Sequence, residues 1–283
     1  MPYKHAGEIG DIWKHLPLCD ILAIEKPLRY FETNSAYSGY TLTENSNIKY
    51  GILSLLKNDV LSDSKYLQIL RNNNIENMHY TGSPGLAMNI LSDKTDYFFY
   101  DIEEDALNDI YEYVKQKGLT ENIHLILGDS IEAFMKNEYL FNKTDFIFID
   151  PYTPFDKNKS GNSFFDIFEK ASVSGAKTLL WYGYETLKNK RQISESLNCL
   201  AHKSGIKISS YDIWLKCMDE DKCIINPGVP GCGLACANLS ASAIDILNRY
   251  IKIIEKHYEN ALYYGYNASL FSEVKVYDSV ELS

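Results

Sequence analysis

The sequence is short of positive charge, of long apolar runs and of glycine-rich phosphate loops. Only 28 Lys and Arg stand against 38 Asp and Glu in 283 residues, a formal net charge of −10. That balance removes any broad electrostatic attraction to nucleic acid, so a nucleic-acid enzyme would have to gather its cations in one place. No apolar run approaches the roughly 20 residues that a membrane span needs. Residues 1–20 mix charges and a Pro without an apolar signal core, so a cytoplasmic protein with no membrane partner is expected. A GxxxxGK[ST] loop is absent, which argues against ATP or GTP as the main ligand. The six cysteines include Cys217, Cys223, Cys232 and Cys236, separated by five, eight and three residues. Structural zinc ligands come in closer pairs, so reduced core thiols and no metal are expected.

What the sequence does hold is a set of strands that end in acids. Phe146-Ile147-Phe148-Ile149 is a run of β-branched and aromatic residues, the pattern of a strand buried on both faces. Asp150 follows it, and Pro151, which donates no N–H, stops the strand before Tyr152. A carboxylate at the exit of a buried strand gains little from packing and costs desolvation. Open α/β sheets place their ligands at that edge.

Three further stretches repeat the pattern. Leu28 to Thr33 is a strand carrying Glu32 and leading into Asn34-Ser35-Ala36-Tyr37-Ser38-Gly39, small and turn-forming residues that let a backbone approach a ligand. Tyr97 to Tyr100 ends in Asp101, and Ile123 to Leu127 leads to Gly128-Asp129-Ser130. Helices at 106–117 and from Ile131 separate these strands, and alternating β and α implies right-handed crossovers and a mainly parallel sheet. The four acids then share one edge. Such a set suits a nucleoside-like ligand, with one acid on ribose hydroxyls and another on an exocyclic amine. Without a phosphate loop, S-adenosylmethionine is the leading cofactor.

The remaining segments frame this core. His5-Ala6-Gly7 and Asp11 precede Lys14 and His15; Asp11 is placed to cap a helix with apolar positions Ile12, Leu16 and Cys19. Residues 41–80 follow helical spacing and read as an inserted subdomain, dividing the core into 1–40 and 81–283. Ser83-Pro84 opens a helix with Ser83 as the expected cap. Strands are expected at 177–182, 207–214 and 231–238, and a helix at 241–258. The tail after Tyr266 is weakly patterned.

These pieces, in this order, resemble the RlmJ-type 23S ribosomal RNA adenine-N6 methyltransferases. His5-Ala6-Gly7, Asp11 and Lys14-His15 are similar to the family's HAG…D..KH motif. Tyr80 with Gly82-Ser83-Pro84 is similar to its YPGSP, Trp181-Tyr182 to its WYP, and Asp150-Pro151 to the start of its DPPY. The resemblance implies a Rossmann-like class I S-adenosylmethionine-dependent methyltransferase sheet of α/β class with an inserted small helical subdomain. It implies that Lys14, His15, Asn34, Ser83, Asp101, Asp129 and Ser130 border the cofactor, that Asp150, Pro151 and Tyr152 serve the acceptor, and that 23S rRNA is the partner. The chain departs from the pattern at Asn34, where the family has His, and at Ala36 and Ser38, where it has Gly. DPPY has become Asp150-Pro151-Tyr152-Thr153. The alternatives are transfer to a small molecule or protein, and a cofactor-binding relative without transfer. For an RNA acceptor, Lys157, Lys159, Lys188, Lys190 and Arg191 are the expected basic surface.

Overall fold

Strands that are apolar throughout are stable only where both faces of their sheet are covered. The computed structural model, which describes residues 5–91, 93–136, 140–218 and 223–279, has that arrangement. The chain runs through α1 (Ile9–Glu25), β1 (Arg29–Glu32), β2 (Gly39–Thr41), the short α2 (Ser46–Tyr50) and α3 (Ile52–Leu55), α4 (Lys65–Asn72), β3 (His79–Thr81) and α5 (Ser83–Ile90). It continues as β4 (Asp96–Asp101), α6 (Glu104–Lys117), β5 (Ile123–Leu127), α7 (Ser130–Met135), β6 (Asp145–Ile149), α8 (Phe164–Val173) and β7 (Lys177–Tyr184). Then follow α9 (Leu187–Ser204), β8 (Ile208–Leu215), β9 (Gly231–Ala237), α10 (Ala241–His257), the small hairpin β10 (Leu262–Tyr263) and β11 (Tyr266–Asn267), and β12 (Leu270–Tyr277).

Eight strands form one sheet in the order β12-β8-β9-β7-β6-β1-β4-β5. The five from β5 to β7 are mutually parallel. β9 is antiparallel to both β7 and β8, and β12 is antiparallel to β8. This is a Rossmann-like, doubly wound sheet extended at one edge by strands paired antiparallel. From β1 the chain steps outward through β4 to β5, then returns to β6 on the other side of β1. That reversal is the switch point where doubly wound sheets open a crevice.

Alternation along the central strands sends neighbours to opposite faces. Tyr30, Phe146 and Phe148 join one buried cluster with α1, α4, α5 and α10 side chains, while Phe31, Ile147 and Ile149 join another with α7, α8 and α9 side chains. Trp13 of α1 donates from Nε1 to the Tyr211 carbonyl at 3.1 Å, pinning the first helix across the sheet. The segment between β2 and β3 returns on itself, because these two strands pair antiparallel. Its Ile48, Ile52, Leu55, Tyr66, Leu67 and Leu70 are buried in the same cluster as α1.

Three local expectations change. The first helix begins two residues before Asp11, since Gly7, at φ +79°, turns the chain and leaves Glu8 at the N-cap. Gly82, not Ser83, caps α5. The weakly patterned tail contains β12; its residues alternate poorly because an edge strand keeps much of its surface in solvent.

Candidate functional site

At the carboxyl ends of β1, β4 and β6 lies a cleft of about 550 Å³, lined by residues from α1, the loop after β1, the start of α5, the β4–α6 turn and Asp150 to Tyr152. The first helix contributes the central charges. Asp11 Oδ2 accepts from the Gly7 N–H at 2.9 Å, and Asp11 Oδ1 lies 3.0 Å from Lys14 Nζ. Lys14 Nζ in turn donates to Asp150 Oδ2 at 2.6 Å and sits 4.9 Å from the centre of the Trp181 ring. The Asp150 side chain is 8% exposed. Burial pushes its carboxyl up to about 6, against the pull of the Lys14 ammonium. Its second oxygen, Oδ1, is buried and has no hydrogen-bond partner.

The neighbouring His15 shows the same pattern. Its Nδ1 lies 2.8 Å from the Tyr80 hydroxyl, which lies 3.0 Å from that of Tyr66. Its Nε2 is buried without a partner, and burial drives the ring down to about 3, so it is neutral at physiological pH. Buried polar atoms are nearly always paired. His15 and Asp150 both line the cleft, so two such orphaned atoms lie in its wall.

Acids of β4 and α6 hold the loop after β1. Asp101 Oδ2 accepts from the Ala36 N–H at 2.8 Å and its Oδ1 from the Glu103 N–H at 2.9 Å. Asp109 accepts from the Ser38 N–H and hydroxyl at 2.7 and 2.6 Å. Ala36 sits at φ +52°, a conformation that costs a non-glycine residue about 1 kcal/mol. Gly82 approaches so closely that a Cβ there would run into the Tyr37 carbonyl. Glu32 lies beneath, fully buried, bonded to Ser83 Oγ and to the Tyr30 hydroxyl. Burial pushes it up to about 8, so it is largely protonated at neutral pH.

Of the residues singled out from the sequence, Lys14, His15, Asn34, Ser83, Asp101, Asp150, Pro151 and Tyr152 all line this cleft. Asp129 and Ser130 do not. Asp129 caps α7 through the Ile131 N–H at 2.8 Å and accepts from Asn158 Nδ2 at 2.9 Å, while Ser130 is buried in the first turn. The cleft wall on their side comes from Ile102, Glu103, Asp105 and Ala106, which no motif announces. Asp11 reads from the sequence as a helix cap, and nothing there singles out Asp109; Asp11 holds the Gly7 N–H and Lys14, and Asp109 holds Ser38, next to the loop residues that line the cleft.

Tyr152 divides the cleft from two further concavities. One, about 310 Å³, is lined by Glu8, Asp11, Lys14, Tyr152, Trp181 and Val229 among others; the second, about 530 Å³, by Thr153 to Asp156 and Glu185 among others. The Tyr152 ring lies against Gly183, where any side chain would collide with it, and 6.2 Å from Trp181. Of the expected basic surface, Lys157, Lys159, Lys188 and Arg191 are exposed, but Lys190 is buried, paired with Glu273 and packed over Trp214. Among the described residues no group of His, Cys, Asp and Glu is placed to hold a metal ion, and no helix is long and apolar enough to cross a membrane.

No family model matches the chain, and no curated protein matches it. Among solved structures it is similar to protein LPL1258 of Legionella pneumophila, of the family DUF519, at 19% identity and a TM-score of 0.75 over 98% of this chain and 99% of that one. It also matches the O-methyltransferase TomG of Streptomyces achromogenes in complex with S-adenosylmethionine, at 10% identity and a TM-score of 0.44 over 79% of each chain. A third match is TYW2 of M. jannaschii in complex with AdoMet, at 12% identity and a TM-score of 0.41 over 81% of this chain and 75% of that one. The first of these likenesses is one of fold along the whole chain.

Proposed function

We propose that this chain is an S-adenosylmethionine-dependent N-methyltransferase that acts on an exocyclic amine, adenine N6 of 23S ribosomal RNA by its resemblance to the RlmJ-type family. The observation that carries the proposal is Asp150: a buried carboxylate at the switch point, held on one oxygen by Lys14 and unpartnered on the other. A buried acceptor with a vacant lone pair, next to a prolyl carbonyl that has no N–H of its own, suits an amine that presents hydrogens to both.

The cofactor fits the rest of the cleft. His15 Nε2 is an orphaned polar atom that a ligand group would satisfy. Asp101 has lone pairs beyond its two backbone bonds for ribose hydroxyls, and Ser83 and Asn34 line the same wall. When bound, the cofactor supplies an electrophilic sulfonium methyl. The protein's own part is to fix the acceptor nitrogen in line with it, and such positioning supplies much of the rate in bimolecular transfers. Asp150 Oδ1 accepts a hydrogen bond from the amine and takes its proton as the new bond forms, a role suited to a carboxyl near 6 that is ionised at neutral pH. Lys14 keeps that carboxylate charged and aimed. Tyr152, half exposed beside Trp181, offers the stacking face that the shifted motif moved up by one place.

A small-molecule or protein amine is the second reading. It is favoured by the acids near Tyr152 on the acceptor side, Glu8, Asp156 and Glu185, and by the burial of Lys190. Calorimetry with S-adenosylmethionine, followed by transfer of labelled methyl to protein-free ribosomal RNA, tests both. Binding with label on adenine supports the first reading. Binding without label in RNA moves the acceptor to the second, and failure to bind overturns the proposal.

A further inference from the structure

Three of the cysteines are core thiols, as the sequence implies: Cys19, Cys232 and Cys236 are buried. Burial pushes the Cys19 and Cys232 thiols well up and that of Cys236 up to about 12, so none of them supplies a reactive thiolate. Cys217 and Cys223 differ. Both are partly exposed, and their sulfurs lie 2.8 Å apart, only about 0.8 Å more than the length of an S–S bond.

The fold brings the two sulfurs together. Cys217 stands on the turn that closes β8, where the Leu215 N–H donates to the Pro230 carbonyl at 2.9 Å and the Lys216 N–H to the Ser269 carbonyl at 2.8 Å. The Met218 N–H then donates back to the Leu215 carbonyl at 2.9 Å. Cys223 begins the segment that returns to β9, and its Ile225 and Val229 are buried. Both cysteines pack against the same hydrophobic cluster. Two thiols held in this way react as a unit, because the second step needs no further encounter. The returning segment also has a place beside the site. Asn226, Gly228 and Val229 line the concavity of about 310 Å³ next to Tyr152, and a Cβ on Gly228 would run into Glu8.

We propose that Cys217 and Cys223 form a redox modification site, which a low-molecular-weight disulfide converts into an internal disulfide that tethers the wall of this concavity. The thiolate of one cysteine attacks a sulfur of the small disulfide, forming a mixed disulfide and expelling one small thiolate. The second cysteine, as its thiolate, attacks the protein-bound sulfur, closing the Cys217–Cys223 bond and expelling the other small thiolate. Two electrons pass from the protein sulfurs to the small disulfide, and the two protein protons finish on the released thiols. A transient, sensing bond is the usual form of a disulfide in a reducing compartment. Neither cysteine lines the cleft of about 550 Å³, so the site stands independently of methyl transfer.

Intact-mass measurement of the full chain after incubation with excess oxidised glutathione tests the proposal. Cys199 is exposed, so the chain carries Cys199→Ser to keep a separate adduct out of the reading. This parent should lose two hydrogens and keep no glutathione, and dithiothreitol should reverse the change. With Cys217→Ser or Cys223→Ser added, no internal bond can close, and at least one of the two variants should retain a glutathione adduct. Hydrogen exchange across residues 225–229 should slow at least threefold in the oxidised parent relative to the reduced one. A parent that keeps both thiols or stops at the mixed disulfide, a single variant that still loses two hydrogens, or two variants without an adduct would each overturn the site. Equal exchange in the two forms would overturn the tether. Should a serine variant fail to fold, Cys217→Ala and Cys223→Ala give the same reading.

Discussion

The two ends of strand β6 carry the same residue in opposite circumstances. At the amino end, Asp145 is fully buried and fully satisfied: Arg29 grips both its oxygens, at 2.8 and 2.7 Å, and the Asn142 N–H adds a third bond at 2.8 Å. At the carboxyl end, five residues on, Asp150 has one oxygen on Lys14 and one on nothing. A satisfied buried charge holds a fold together; an unsatisfied one costs stability. The difference teaches that burial of an acid does not identify a site. The role proposed for Asp150 rests instead on its unpartnered oxygen beside the cleft.

Exchanging the two roles is the strongest way to break that contrast. Asp150→Ala should lower methyl transfer by roughly a hundredfold or more, the range that general acid–base groups supply, with cofactor affinity nearly unchanged by calorimetry. Denaturant unfolding should show little loss for that variant, since Asp11 still pairs with Lys14. Asp145→Ala should do the reverse. Removing one partner of a buried ion pair costs about 3 kcal/mol, so the unfolding midpoint should fall while turnover per folded molecule holds. Similar losses of stability in both variants would abolish the distinction.

Titration sharpens it. Transfer should rise with pH through about 6 as Asp150 ionises, and that limb should vanish in Asp150→Asn. Glu32 acts on stability instead. Its folded carboxyl, near 8, binds its proton more tightly than the unfolded one near 4.5. Its contribution is thus complete below about 4.5 and is lost as pH rises through 8. The loss is on the order of 5 kcal/mol, because each tenfold difference in proton affinity between the folded and unfolded chain is worth about 1.4 kcal/mol. Glu32→Gln should flatten the fall in unfolding free energy across that range; an unchanged slope would remove Glu32 as its source.

The other two strand-end acids extend the comparison at lower stakes. Asp101→Ala should weaken S-adenosylmethionine binding at least tenfold, since charge-assisted bonds are worth roughly 1.5–3 kcal/mol each. Asp129→Ala should leave affinity alone and cost about 1 kcal/mol as a lost N-cap. The reverse ranking in a binding titration would place the cofactor over β5. The smallest effect expected is a gain: Ala36→Gly, at φ +52°, should stabilise the fold by up to about 1 kcal/mol, read as a raised unfolding midpoint.

Much of the architecture is legible in the sequence because it is local. Apolar runs bounded by turn residues mark β4, β5, β6 and β7, and strand-end acids mark the edge of the sheet on which the cleft opens. β12 is hidden for a local reason too, since its Glu273 and Lys275 interrupt any apolar pattern, and at an edge nothing forbids them.

What the sequence by itself determined is which residue types stand at the ends of which strands, and hence that Asp150, Asp101 and Glu32 share one edge. Only the tertiary structure decided what each one does there. Lys14 and Asp150 are 136 residues apart in the chain, and no periodicity states that the first helix crosses the sheet to bring them together. Asp129 and Asp150 look alike as strand-end acids, yet one is consumed by a helix N-terminus and the other retains a vacant oxygen. Whether a carboxylate is satisfied depends on donors supplied by distant segments. That is a property of packing, and it separates the acid that caps a helix from the acid that keeps one oxygen unpartnered.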